Sequence, residues 1–357
     1  MKHVFFVLFA VICTAVHADS YKPLADETIA LAMPLPLTGQ MSKLSARVAT
    51  EPNDADVLKL ATLYLHGARQ PGYDAWFHQA EYWLSQLSAA TRRGIEYPLL
   101  QADILQQQHQ FDAALTSLEQ VFAAEPQHLS ASLMAARIYL AMAQHQAAQD
   151  ACNRLWQQDL FLFSVCSYEV AGRNGDWQQS YAALVTLYQR QQSLSKEIEL
   201  WLRGILAEQA EQLGKTAEAR NWLSPVLADA PTSLWIKWAD LSLALEDYRQ
   251  VYQQLLVKHQ QLGLADSLLV RLAAAEQQLT VETSISTELT ERIQLRLARG
   301  DTEHAADLAH YFLRVAPNPQ AALHWAELNY KTAKEPDDIA LLRQSERALS
   351  RQKGTTP

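Results

Sequence analysis

Residues 109–126 read HQFDAALTSLEQVFAAEP, and their recurrence decides the fold. Two further segments, GKTAEARNWLSPVLADAP at 214–231 and GDTEHAADLAHYFLRVAP at 300–317, have the same length and also end in proline. All three place alanine five residues after the start, at Ala114, Ala219 and Ala305. Leu118, Leu223 and Ala309 follow four residues on, and large apolar side chains fill the next turn. A small residue one helical turn before a bulky one lets a second helix approach closely, and the proline ends the segment. Each segment therefore reads as the second helix of a pair.

The first helix lies upstream. Twelve residues before Ala114 is Ala102, with Leu105 three further on. A shift of 34 residues hands the same roles to Ala136, Tyr139, Ala148 and Cys152. Weaker copies are legible in NGDWQQSYAALVTL at 174–187 and LWIKWADLSLALEDYRQVYQQLL at 234–256. A 34-residue period of antiparallel helices, with small residues at the crossing and a terminal proline, resembles the tetratricopeptide repeat. The resemblance implies an all-α superhelix, a solenoid of roughly seven helix pairs over residues 51–350, some of them degenerate. The pairs at 95–128 and 129–162 carry it most clearly. The segments YLHGARQPGYDAWFHQAEYWL and NYKTAKEPDD extend it to exported bacterial tetratricopeptide proteins of unassigned function.

Irregularities fall at three places. The joint inside the first pair is lengthened around Gln70 to Asp74. Two helical patterns between 263 and 299 are separated by TVETSIS, whose β-branched residues predict a distorted or half repeat. PQAALHWAELNYKTAKEPDDIALLRQSERAL supplies a last pair, with Asp337 and Asp338 placed to favour the start of its second helix. Residues 19–50 read as an extended leader and 351–357 as a flexible tail.

The first residues, MKHVFFVLFAVICTAVHADS, have the layout of a secretory signal peptide. A short polar start precedes an apolar run from Val4 to Val16, too short to span a bilayer. Cleavage is expected between Ala18 and Asp19, which predicts a periplasmic or secreted protein with no membrane insertion after signal removal. A lipoprotein would acylate Cys13, but Ile12 stands where a small residue is wanted. The whole chain carries 30 basic and 39 acidic residues, net −9. Loss of Lys2 with the signal makes the balance −10. Such a surface disfavours nucleic acid and anionic lipid alike, because neither polyanion finds a cationic stripe. Cys152 and Cys166 survive processing. They fall on neighbouring helices of consecutive repeats and either form a disulfide or stay as buried thiols.

Catalytic and metal motifs are wanting. LGKT at 213–216 lacks the earlier glycine of a phosphate loop, position 209 being Gln209. His304, Asp307 and His310 recur every third residue and read as the polar outer face of a surface helix rather than metal ligands. Trp83, Trp201, Trp222 and Trp238 lie among Leu and Ala as packing residues, whereas Trp76, in the lengthened joint, is the candidate for an exposed contact. No metal or cofactor is expected.

What remains is a surface. Counted from the crossing alanines, the first helices turn Asp103, Gln106, Arg137, Glu208, Asp240 and Glu327 toward a concave groove suited to a basic or polar peptide segment. The expected function is a non-catalytic scaffold of the cell envelope that holds another envelope protein or peptide. The alternative is the helical arm or subunit of an envelope enzyme or polymer-export machine.

Overall fold

The computed structural model describes residues 39–281 and 284–354. The expected signal peptide at 1–18 and most of the expected leader lie outside them. The described residues form eighteen α-helices. The first nine are α1 (Gly39–Thr50), α2 (Asp54–Ala68), α3 (Trp76–Ser85), α4 (Glu96–Gln107), α5 (Phe111–Ala124), α6 (Leu129–Ala141), α7 (His145–Asn153), α8 (Leu160–Arg173) and α9 (Trp177–Gln189). They continue as α10 (Lys196–Gln212), α11 (Thr216–Leu223), α12 (Thr232–Ala244), α13 (Tyr248–Leu262), α14 (Asp266–Leu279), α15 (Ile285–Arg299), α16 (Ala305–Arg314), α17 (Pro319–Tyr330) and α18 (Pro336–Gly354).

The same local device closes five successive pairs. A residue in the left-handed region follows the first helix: His109, Ala143, Gly175, Gly214 and Glu246. The amide one place further then reaches back five residues to a helix carbonyl. Gln110 N donates to Leu105 O at 2.9 Å, Gln144 N to Tyr139 O at 2.7 Å and Lys215 N to Ala210 O at 2.9 Å. This reversal satisfies carbonyls that the helix end would orphan and turns the chain antiparallel within three residues. Gly214 of the LGKT tetrapeptide is one of these turn residues, with open space around its α-carbon. Side-chain caps from Asn53, Asp159, Ser195 and Asn318 start other helices.

The alanines of the 34-residue pattern sit at the helix crossings. Ala102, Ala114, Ala136, Ala148, Ala207 and Ala219 are all at 1% exposure or less. A larger side chain there would push the helices apart. Even-numbered helices also touch one another along the stack, with close contacts of α2 to α4, α4 to α6, α6 to α8, α8 to α10, α12 to α14, α14 to α16 and α16 to α18. Neighbouring odd-numbered helices have no comparable contact among the described residues. The even row is therefore the inner row of a curved array and the odd row the outer.

The curvature is tight enough for one turn of the superhelix to meet the next. Thr232 N, at the start of α12, donates to Arg69 O after α2 at 2.7 Å. Lys334 N, before α18, donates to Ala141 O at the end of α6 at 2.8 Å. Between them the His109 and His304 rings meet edge to face, 5.9 Å apart. A β-carbon on Gly72 would collide with Leu262 and Gly263, so the lengthened joint after α2 is pressed against the α13–α14 joint. These contacts make a seam between turns five to six helix pairs apart.

Four expectations change. The leader ends before residue 39, because Met41, Leu44 and Val48 form a buried stripe at helical spacing along α1. The tail is helical through Gly354. Residues 263–299 hold no half repeat: α14 is inner and α15 outer, so the alternation continues. In consequence α16, built by 300–317, is an inner helix rather than a second one. The small-residue signature at Ala305 and Ala309 serves a crossing from either side, so it could not report which row the helix joins.

Candidate protein-interaction face

The inner row gathers charge. Arg69 pairs with Asp103 of α4. Arg173 of α8 grips both oxygens of Glu208 on α10, at 2.8 and 2.7 Å, and also meets Glu335 at 2.8 Å. Lys237 of α12 binds Glu211 at 2.8 Å and also pairs with Asp337. Arg271 of α14 reaches Asp240 of α12 at 2.8 Å, and Arg314 of α16 reaches the same carboxylate at 2.5 Å. Asp307 lies 3.8 Å from Arg271. Residues 173 and 335, and 237 and 337, are far apart in sequence; only a closed coil brings them together.

Burial and pairing compete at each group. Burial alone would raise the Asp240 carboxyl, but Arg271 and Arg314 outweigh it and hold Asp240 far below the usual carboxylate range. Burial would lower Lys237, and Asp337 and Glu211 reverse that, holding it well above an ordinary lysine. Glu335 follows Asp240, with Arg173 prevailing over burial. Glu169 on α8 behaves differently. Burial dominates, Arg173 and Arg137 only partly offset it, and its carboxyl is pushed up to about 7. Burial likewise takes Asp338 up to about 6 and holds His310 well below an ordinary imidazole.

Of the six groove residues expected from sequence, Asp103, Glu208 and Asp240 do face the interior, but their carboxylates are already engaged by Arg69, Arg173 and Arg271. Gln106 is half-buried on α4. Arg137 on α6 is exposed and makes no ion pair among the described residues. Glu327 is misplaced: it lies on α17, in the outer row, exposed to solvent. Sequence reasoning missed the partners Arg173, Lys237, Arg271, Glu335 and Asp337. Arg173, Lys237 and Arg271 reach carboxylates on the adjacent inner helix. Glu335 and Asp337, at the entry to α18, come instead from a distant turn whose approach depends on the superhelical pitch, which a nearest-neighbour repeat pattern does not encode.

His304, Asp307 and His310 also move. His304 stands at the residue before α16, at the seam, without a side-chain capping bond, while Asp307 and His310 point into the charged interior, not outward. Among the described residues no group of three or more His, Cys, Asp or Glu side chains is arranged to hold a metal ion. Trp76 is buried at 7% exposure, with its ring edge-on to Tyr64 and Tyr73. A β-carbon on Gly67 would lie 2.3 Å from that ring. The indole thus fills the space that lengthening the α2–α3 joint opens. Trp238 is fully buried, and Trp83, Trp201 and Trp222 pack partly buried against the cores.

Cys152 of α7 and Cys166 of α8 are joined by a disulfide, with their α-carbons 5.7 Å apart. It ties the outer helix of one pair to the inner helix of the next. Nearby, Trp156 and Leu160 are the most exposed large apolar side chains described, at 57% and 59%.

One hollow has hydrolase-like residues. His259, Glu288 and Ser284 line a space of about 340 Å³ between α13 and α15. His259 Nε2 meets Glu288 at 3.0 Å, and its Nδ1 accepts from the Leu264 amide at 3.2 Å. Both ring nitrogens are committed, so this imidazole has no free nitrogen to take a proton from the Ser284 hydroxyl. Among the described residues no helix is long and apolar enough to cross a membrane.

The tetratricopeptide repeat family profile matches residues 105–160, which span the end of α4 through the first residue of α8. No curated protein matches the chain. Among solved structures, a tetratricopeptide repeat protein from Parabacteroides merdae aligns over 72% of this chain and 91% of its own, at 15% identity and a TM-score of 0.44. The Cut9–Hcn1 hetero-tetramer of the APC/C aligns over 87% and 67%, at 14% identity and 0.35. The P58(IPK) TPR domain aligns over 88% and 95%, at 14% identity and 0.23. Domains of this repeat type commonly serve as protein-interaction scaffolds and are generally non-catalytic. Residues 105–160 match the tetratricopeptide repeat, and the described residues as a whole form an all-α superhelix of antiparallel helix pairs.

Proposed function

We propose that the protein is a non-catalytic scaffold of the cell envelope that binds another protein on its inner face. The repeat array itself carries this reading. Helix pairs too small to fold alone are stacked into one curved surface, whose first-helix side chains are held in fixed positions by their neighbours. Such a surface selects partners by charge and shape and needs no reacting group. The signal-like layout of residues 1–18 and the Cys152–Cys166 bond both suit an oxidising compartment outside the cytoplasm. The charge of −9 turns it away from nucleic acid and anionic lipid. In-cell cross-linking followed by mass spectrometry of captured proteins tests the proposal. A reproducible envelope partner is the expected result; no protein captured above an unrelated exported control would sink it.

A further inference from the structure

We infer that Arg137 is the point at which the inner face takes a carboxylate from an acidic segment of its protein partner. The inference rests on the scaffold reading and makes it specific. Arg69, Asp103 and Arg137 stand 34 residues apart, at one register of α2, α4 and α6. Arg69 pairs with Asp103. One repeat beyond Arg137 the register falls on Ala171, which has no carboxylate to offer. Every other arginine described on or at the end of inner helices α2 to α16 has an acidic partner: Arg69, Arg173, Arg203, Arg271 and Arg314. Among the described residues Arg137 alone is exposed and makes no ion pair at contact distance, although its charge reaches Glu169 and Glu335.

A second observation lies beside it. Glu169 on α8 is 7% exposed and makes neither a hydrogen bond nor an ion pair among the described residues. A carboxyl so buried and unpartnered is expensive unless it is neutral. Four charged groups face it: Arg173 on its own helix, Arg137 from α6, Glu208 from α10 and Glu335 from ahead of α18. Glu208 and Glu335 both serve Arg173. With Glu169 protonated, the five groups sum to zero, so an incoming carboxylate at Arg137 meets no net repulsion from them. With Glu169 ionised, the cluster already holds an excess negative charge.

The chain itself shows what the face accepts. Glu335 and Asp337 of the KEPDD segment are seated on Arg173 and Lys237, side chains 162 and 100 residues away. An acidic stretch thus already lies along this face in cis, and Arg137 is the neighbouring cation with no carboxylate at contact distance. An incoming Asp or Glu can take the two-pronged geometry that guanidinium offers.

The test uses the exported full chain and a labelled, end-blocked oligoglutamate peptide, with oligolysine as control, read by fluorescence anisotropy. The expected result is binding of oligoglutamate only, weakened about tenfold by Arg137→Ala and unaffected by Arg249→Ala on exposed outer helix α13. Binding tightens as pH falls through about 7, the value to which Glu169 is raised, and Glu169→Gln removes that pH dependence while keeping the affinity. Arg137 is exposed and unpaired, so its replacement leaves the fold intact; circular dichroism checks this. No binding to the wild type, or equal binding to Arg137→Ala, overturns the inference. If that happens while a photo-cross-linking residue at Gln106 still captures a protein in cells, the Arg137 assignment falls and the scaffold reading stands. If Gln106 also captures nothing, both fall.

Discussion

Reduction of the Cys152–Cys166 bond offers a quantitative test of how the repeats hold together. The bond closes a loop of sequence separation 14. In the chain-entropy account, opening such a loop enlarges the unfolded ensemble by about 3 kcal/mol at 25 °C. In a stacked array that loss is not spread evenly, because each pair is stabilised mainly by its neighbours. It should fall on the α7–α8 joint, between the second matched repeat and the next. Both sulfurs are buried, at 0% and 2% exposure, so reduction itself requires this joint to open. Hydrogen exchange read by mass spectrometry, on oxidised and reduced protein at one pH, measures the effect locally. Amides of residues 145–173 should lose protection by about two orders of magnitude, at 1.4 kcal/mol per tenfold, while α4, α5, α12 and α13 change far less. Protection of 145–173 that moves by less than about threefold would refute the loop-entropy reasoning. So would ready maleimide labelling of both cysteines in the native protein without reductant, since the bond would then be absent.

Three further outcomes follow from single side chains. Gly67→Ala drives a methyl group into the Trp76 ring, and despite the helix-propensity gain it should lower stability by about 1–2 kcal/mol in urea titration followed by tryptophan fluorescence. Asp240→Asn leaves Arg271, 4% exposed, and Arg314 without their shared carboxylate, and should destabilise by about 3 kcal/mol at neutral pH, read as a lower urea midpoint. Glu169 has a folded value raised to about 7, so its contribution is complete below the unfolded carboxyl range and is lost as pH rises toward 7. Glu169→Gln should therefore stabilise the protein by about 2–3 kcal/mol at pH near 8 and by almost nothing near pH 4; equal urea midpoints for both proteins near pH 8 would contradict it.

Much of the architecture was legible in the sequence because the features that write it are local. A small residue at a helix crossing, a turn residue and a terminal proline each act within a few positions, so Ala102, Ala114, Ala136 and Ala148 reveal the period directly. Trp76 was misjudged because lengthening a joint signals only that room exists, not whether an indole or solvent occupies it. Glu327 was misplaced because the count of inner and outer helices slipped across 263–299, where two helices lack the usual alanine spacing. The partners of the inner carboxylates were hidden for a different reason. Arg173 meeting Glu335 depends on the pitch of the whole coil, the accumulated sum of many small rotations between pairs, and no single stretch of sequence states that sum.

The seam also bears on how the chain acquires its structure during synthesis. A simple array can grow one pair at a time, each new pair folding on the last. Here the Arg69 carbonyl, the His109 ring and the Ala141 carbonyl wait for residues 232, 304 and 334, and Arg173 waits for Glu335. The early pairs must stand for most of translation without the groups that will later brace them. The segment entering α18 closes on α6 and α8, so a chain cut short before residue 334 would keep its repeats and the contacts made by residues 232, 262 and 304, and lose only that part of the seam.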